Sequence, residues 1–424
     1  MFVKDYRDPL HGFVSVSSLE QQLIDTVYFQ RLRNIRQLAT SFYVYPSAMH
    51  TRFEHSLGTL MVIDQMLRTL FGKDECVEIL AQKLKWGKGE MERAQQVLRL
   101  AALLHDLGHA PFSHAAEVLL PQAEDGREQD HESFTYRFIV DTEIAELIDR
   151  HLGAGSAEEV AEVAVNRATS IDRAFLSELL TGDFGADRID YLMRDSHHLG
   201  VQYGRFDIHR LLNTLLVRWN EEKKGPELAV EDGGLHTVEA FVLARYFMFL
   251  DVYFHKTRRI LDHHLVKFLK DHLNGGVYPN ELSGYLAWDD HRVMQLICTA
   301  GDHDTAKRIL QRRHFRVAFE TNDHPELYEL ARFNWLKEKA EGRFGQDVVF
   351  DKASKDTYAF DQPEVFVFDR KRRQCRPLSE CSRLVGSLMK IEKHRVYAAP
   401  EKRDDVTAFC NEHWKQTAVG EGRG

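Results

Sequence analysis

Apolar side chains recur at helical spacing through most of the first 270 residues. Residues 18–40 read as one helix with basic residues between the apolar ones, and 55–72 as another that Gly72 closes. Residues 91–110 form a third, stopped by Pro111, and 134–153 and 171–198 continue the pattern. Residues 233–273 predict one long helix or two in succession. Strand-like runs are scarce before about residue 270; after 274–279 short β-prone runs enter at 314–320, 347–350, 364–369 and 393–399. The expected fold is therefore mainly α. A helical core spans 1–270, followed at 271–424 by a smaller α+β region suited to oligomerisation or regulation. The tail at 420–424 reads as disordered.

One stretch breaks the apolar pattern. "RLAALLHDLGHAPFSH" (99–114) inserts His105, Asp106, His109 and His114 into a greasy segment. Burying so many polar groups is costly unless something binds them. On a helix, His105 and His109 share a face, and the adjacent His105–Asp106 pair can offer imidazole and carboxylate to one ion. Further ligands must come from elsewhere. In "HTRFEHSLG" (50–58), Arg52 and His55 lie three apart, so one can ligate metal while the other holds an anion. In "GDFGADRIDYLMRDSHHLG" (182–200), Asp187, Tyr191 and Asp195 recur every fourth residue, with Arg188 beside them.

The assembled set is His55, His105, Asp106 and Asp187. Mixed nitrogen and oxygen donors suit Mn²⁺, Fe²⁺, Zn²⁺ or Mg²⁺ without choosing among them. Each element alone has an ordinary explanation: a chance His–Asp dipeptide, a surface salt bridge at Arg52, a solvated polar stripe. Their joint occurrence in this order favours a metal-assisted phosphoester site.

Composition narrows the setting. The net charge of −9 argues against a general nucleic-acid surface. Five scattered cysteines, none in a CxxC pair, suit a reducing cytosol and speak against a thiolate zinc site. No apolar run reaches membrane-spanning length, and the first residues do not read as a signal peptide. A soluble, cytoplasmic protein is expected.

The order H…HD…D resembles the HD-domain phosphohydrolase superfamily. "RDPLHG" (7–12), "IDTVYFQRLRNIRQL" (24–38), "HTRFEHSLG", "LLHDLGHAPFSH" (103–114), "DHES" (130–133), "DRIDYLMRDSHHLG" (187–200) and "YFHK" (253–256) together resemble its deoxynucleoside triphosphate (dNTP) triphosphohydrolase branch. That branch includes sterile-alpha-motif and HD-domain dNTPases; no sterile-alpha-motif domain is expected here. The resemblance covers roughly 1–270 strongly and the remainder loosely.

It implies one divalent ion on His55, His105, Asp106 and Asp187, with additional Mg²⁺ accompanying bound nucleotide. His109, His114 and His131 would line the triphosphate, with His114 and its neighbour His131 in acid or water-orienting roles. Glu117 stands where the family pairs that histidine with aspartate. Arg52, Arg188, Tyr191 and Arg245 would contact phosphate, Arg188 replacing the usual lysine. Gln37 and Asp195 would hold the sugar 3′-hydroxyl, and Tyr253 would pack on the sugar. The implied reaction converts dNTP, dGTP among them, to deoxynucleoside and triphosphate.

The resemblance also implies a homo-oligomer, a tetramer by preference, with nucleotide effectors. Lys4, Asp25, Arg33, Arg210 and Arg316 match the effector pockets, whereas Glu320 falls where the family can place a basic phosphate contact. Two other functions compete. One is an HD phosphodiesterase or nuclease acting on single-stranded nucleic acid or a cyclic nucleotide; the other is a nucleotide-sensing regulator. His197, His198, His263 and His264 read as structural.

Overall fold

The computed structural model describes residues 2–123, 126–355 and 365–420. Residues 421–424 of the expected disordered tail and residue 364 of the 364–369 run lie outside them. The chain divides into two compact units. One comprises Met1–Arg245, Val277–Val293 and Phe360–Ser387; the other comprises Tyr246–Gly276, Met294–Ala359 and Leu388–Gly424. The expected cut after residue 270 falls inside the second unit's Tyr246–Gly276 stretch.

The first unit is mainly helical, as expected. Its central helix, Arg52–Phe71, begins where Thr51 N–H donates to the Glu54 carboxylate (2.9 Å) and ends at Gly72. It buries Leu60, Ile63, Met66 and Leu67, and the Lys88–Leu104 helix packs beside it with Val97, Leu98, Ala101 and Ala102 buried. The Ala186–Leu199 helix crosses close to it. Only a glycine fits at position 58: a Cβ there would lie 2.0 Å from Asp190 Oδ1 and 2.2 Å from Arg194 Nη2.

Several predicted helices are shorter than the periodicity implied. The 18–40 segment breaks into Ser18–Ile24, Val27–Gln30 and the 3₁₀ turn Arg31–Asn34, because Thr26 Oγ1 caps a new helix at Phe29 N (3.4 Å). The 91–110 helix stops at Leu104, so His105 and His109 do not share a helix face. There the backbone of Gly108 presses against the His131–Val140 helix, and a Cβ would come within 2.1 Å of His131 O. The 134–153 segment becomes His131–Val140 and Glu143–Leu152; the 171–198 segment becomes Ile171–Thr181 and Ala186–Leu199. The 233–273 segment is two helices, Leu235–Phe247 and Lys256–His272, with a π-helical turn at Met248–Tyr253.

Strands also come earlier than predicted. Phe2–Asp8 and Gly12–Ser17 form an antiparallel hairpin whose alternating Val14 and Val16 are buried. A second sheet orders Leu215–Asn220, Gly225–Glu231, Phe366–Asp369 and Gln374–Pro377. These runs span six or seven residues at most, too short to stand out among helical periodicity.

In the second unit, Ile391–Ala398 lies between Arg316–Glu320 and Val348–Lys355 in an antiparallel sheet. Helices Leu327–Phe344 and Arg403–Gly420 share its core through Phe333, Leu336, Val348, Val396 and Phe409. Among the described residues no helix is long and apolar enough to cross a membrane.

Candidate functional site

Three separate segments of the first unit converge on one buried cradle. His55 comes from the first turn of Arg52–Phe71, His105 and Asp106 from the end of Lys88–Leu104, and Asp187 from the start of Ala186–Leu199. His55 Nε2 lies 3.0 Å from Asp187 Oδ1 and 3.6 Å from Asp106 Oδ2. His105 Nε2 lies 3.4 Å from Asp106 Oδ1 and 3.6 Å from Asp187 Oδ1. His55, His105 and Asp106 are positioned to share one cation.

The imidazoles are aimed by what holds their other nitrogens. His55 Nδ1–H donates to Asp190 Oδ2 (2.8 Å), and His105 Nδ1–H donates to Ala102 O (2.8 Å). That fixes both Nε2 atoms toward the carboxylates. His105 Nε2 is buried without a hydrogen-bond partner, an expensive arrangement that a metal ion would resolve. Two imidazole nitrogens and two carboxylates fit a divalent cation.

Electrostatics follow from this crowding. Burial would depress the His55 pKa, but hydrogen bonds to Asp187 and Asp190 and the Asp106 charge push it up to about 10. Burial would raise Asp106, yet the Arg52 charge and His105 hold it well below the carboxylate range. Asp187 is likewise lowered against its burial by His105 and His55. Arg52 Nη1 donates to Asp106 Oδ2 at 2.5 Å, and its Nε donates to Ser113 Oγ at 2.8 Å.

Beside the cradle stands a second cluster. His109 Nε2 is 3.3 Å from Asp106 Oδ1. The His109 ring stacks on His131 with centroids 3.9 Å apart and meets His114 edge-on at 4.8 Å. Glu117 joins the other two: it accepts from His114 Nδ1 (2.8 Å), from His131 N (2.9 Å) and from His131 Nδ1. The longer arm of glutamate therefore reaches both histidines. Burial opposes charge on His131, but Glu117 raises its pKa; burial, Arg52 and His131 lower that of His109. The loop between is backbone-strained, with Phe112 and Ser113 at φ 59° and 54°. Asp290 holds it, accepting from Phe112 N (2.7 Å) and Arg36 N (3.1 Å).

On the expected sugar side, Gln37 N–H donates to His50 O (3.0 Å), and His50 Nε2–H donates to Asp195 Oδ1 (2.7 Å). Gln37 Oε1 is buried with no partner. On the expected phosphate side, Asp183 accepts from Arg188 Nη1 (2.6 Å) and Arg245 Nη1 (3.2 Å), and Arg245 Nε is buried without a partner. Burial raises the Tyr191 pKa, keeping its hydroxyl protonated. Tyr253 belongs to the second unit, where its ring meets Phe249 edge-on at 4.9 Å.

The candidate effector residues have local contacts. Lys4 lies over the Tyr6 ring (4.7 Å) and Arg33 over Phe53 (3.5 Å); Asp25 ends the Ser18–Ile24 helix. Arg210 donates to Gly233 O (2.7 Å), and Arg316 of the second unit meets His314 (3.0 Å). Of the histidines read as structural, His198 stacks on His50 at 4.5 Å, His263 meets Asp351 at 3.1 Å and His264 Nε2 accepts from Phe315 N (3.2 Å). His197 meets His198 edge-on at 5.3 Å.

Asp190, His11, Asp183, Ser113 and Asp290 were not singled out from sequence. Asp190 and His11 lie inside quoted motifs, and the Asp187–Asp190 spacing of three on a helix could have placed Asp190 behind the ligand set. Asp290 has no such signal.

Residues 52–195 match the HD domain and 206–415 match the HD associated region. The chain is 36% identical over 352 residues to the uncharacterized protein YwfO of Bacillus subtilis, covering 77% of this chain and 74% of that protein. It is 32% identical over 234 residues to the deoxynucleoside triphosphate triphosphohydrolase SAMHD1 of Gallus gallus; the match covers 50% of this chain but only 36% of that protein. The crystal structure of a hypothetical protein from Aquifex aeolicus superposes with a TM-score of 0.81 at 35% identity, over 96% of this chain and 100% of that one.

Proposed function

The chain belongs to the HD-domain family of phosphohydrolases, and from that premise we propose that it hydrolyses deoxynucleoside triphosphates to deoxynucleoside and intact triphosphate. The observation that carries the reading is the paired anchoring of His55 and His105, which turns both Nε2 atoms onto Asp106 and Asp187. His55, His105, Asp106 and Asp187 would hold a divalent ion that lowers the pKa of water and neutralises phosphoryl oxygen.

The chain's own groups do the rest. Arg52, fixed by Asp106 and Ser113, and the Arg188–Arg245 pair offer guanidinium charge to the triphosphate. Water oxygen bonds to the α-phosphorus, the bond from phosphorus to the sugar 5′-oxygen breaks, and a proton must reach that oxygen. The His114–Glu117–His131 group is built to supply it, because Glu117 favours the protonated His131. The unpartnered Gln37 Oε1, tied through His50 to Asp195, suits a sugar hydroxyl. The printed activity of the Gallus gallus relative supports the same substrate class. The reading extends to dGTP and manganese as first substrate and ion to try, and to nucleotide activation of a homotetramer in the cytoplasm.

Metal-loaded protein incubated separately with each dNTP, a ribonucleotide, a cyclic nucleotide and a single-stranded oligonucleotide tests this. Deoxynucleoside with equimolar tripolyphosphate supports the proposal. A shortened oligonucleotide or an opened cyclic nucleotide replaces it with a phosphodiesterase, and nucleotide bound but unchanged replaces it with a sensor. Repeating the assay with a second nucleotide, alongside sedimentation, tests activation and assembly.

A further inference from the structure

The Nδ1 side of His55 is held by Asp190 of the Ala186–Leu199 helix, and the amino-terminal hairpin reaches that carboxylate through His11. Asp190 is 0% exposed, and both its oxygens are fully engaged. Oδ2 accepts from His55 Nδ1 (2.8 Å) and Arg194 Nε (2.8 Å), while Oδ1 accepts from His11 Nε2 (2.7 Å) and Arg194 Nη2 (3.0 Å). His11 sits in the turn between Phe2–Asp8 and Gly12–Ser17. That turn is itself held: Asp8 Oδ1 accepts from Leu10 N (2.8 Å) and His11 N (2.9 Å), and Asp8 Oδ2 meets Arg194 at 2.9 Å. Gly58, lacking a Cβ, leaves the space into which Asp190 and Arg194 fit.

We propose that His11 and Asp190 are positioning residues for the metal centre: the hairpin turn, through Asp190, locks the His55 ring with Nε2 facing the cradle and so sets its affinity for a divalent ion. A carboxylate that accepts from a ligating imidazole fixes its tautomer and ring angle, and losing such a partner typically costs roughly 10–100-fold in metal affinity. Here the carboxylate is in turn oriented by His11, 179 residues away in sequence, and by Arg194. His11→Ala therefore loosens the centre without touching any ligand. This rests on the metal reading given above.

The test measures Mn²⁺ binding to metal-stripped protein by chelator competition, for wild type, Asp190→Asn, His11→Ala and His11→Gln. Nitrogen-15 NMR reports the His55 tautomer, and thermal melts report folding. The inference expects roughly tenfold or greater weakening for Asp190→Asn, with a changed His55 tautomer population. It expects a smaller loss for His11→Ala, partly rescued by His11→Gln, whose amide retains a donor. Wild-type protein that binds no Mn²⁺ overturns the metal reading and this inference with it. Wild-type binding, with both Asp190→Asn and His11→Ala within twofold of it, overturns the inference alone, even if their melting temperatures fall. Should Asp190→Asn fail to fold, His11→Ala against His11→Gln decides: equal affinities overturn it, and rescue supports it.

Discussion

The cradle and the histidine cluster beside it share Asp106 as a neighbour, yet they are built in opposite ways. In the cradle, His55 in the first turn of its helix and His105 just past the end of Lys88–Leu104 are both buried, and each Nδ1 is tied to a fixed acceptor, so each ring has one orientation. In the cluster, the His114 side chain is 58% exposed, and it follows a loop that carries two left-handed non-glycine residues. Glu117 bridges His114 and His131 by hydrogen bonds, and the two rings meet edge-on at 5.1 Å. A metal ligand must not move, so its rigidity comes from helices and buried partners. A proton donor must meet an incoming oxygen, so it sits where substrate can reach it. The two halves should therefore fail differently when broken.

Asp106→Ala should have the largest effect. It removes a proposed ligand and leaves the buried Arg52 guanidinium without its 2.5 Å partner. Turnover should fall by at least about a thousandfold, a loss of the size seen when an essential catalytic group is removed, while circular dichroism stays close to wild type. Near-wild-type activity would discard the metal assignment.

Glu117→Gln should cost less, roughly a hundredfold in kcat, the low end of acid–base assistance. Its pH signature separates the halves. Glu117 raises the His131 pKa, so the charged imidazole persists to higher pH in the wild type. Without the carboxylate the folded pKa drops, and the alkaline limb of the rate profile should move to lower pH. Stability follows the same linkage. The gain from protonated His131 is complete below its ordinary value near 6.5 and is lost as pH rises through the higher folded value. The gain from Glu117, whose pKa lies below its ordinary 4.5, is present above that value and lost in acid as pH falls through the folded value. Metal affinity should not change; a loss equal to that of Asp106→Ala would merge the two halves into one.

Gln37→Ala should raise KM by about tenfold, the scale of a lost polar contact to substrate, and leave ion binding intact. Calorimetry showing the reverse order would remove Gln37 from the sugar side.

The smallest effect is expected at the loop clamp. Burial raises the Asp290 pKa to about 6, although Phe112 N and Arg36 N oppose it. The folded state therefore holds its proton longer than the unfolded chain. Stability from this group is full below about pH 4 and declines as pH rises through 6. Asp290→Asn should flatten that slope, with melting temperatures that change less between pH 5 and pH 7.5 than those of the wild type. An unchanged slope would show that Asp290 does not titrate in this range.

The candidate ligands were more legible in the sequence than the geometry that brings them together. His55, His105, Asp106 and Asp187 stand in motifs whose residue types state their chemistry, and apolar spacing marks Arg52–Phe71 to within a turn. The same spacing misplaced His109, because periodicity cannot reveal that the helix stops at Leu104 or that Gly108 beyond it lies against the His131–Val140 helix. Asp190 was hidden for a related reason. Its two imidazole partners are 135 and 179 residues away, and a carboxylate that only orients others has no pattern of its own. The short strands at 2–17 were missed because two buried valines make a weak alternation.

His55, His105, Asp106 and Asp187 would hold an ion that supplies activated water for attack at the α-phosphorus of a dNTP. Hydrolysis in ¹⁸O-enriched water, followed by phosphorus NMR and mass analysis of both products, tests it most directly. The account expects one labelled oxygen in tripolyphosphate, none in the deoxynucleoside, and no product with Asp106→Ala. Label in a nucleoside monophosphate or pyrophosphate, or undiminished product from Asp106→Ala, would contradict it.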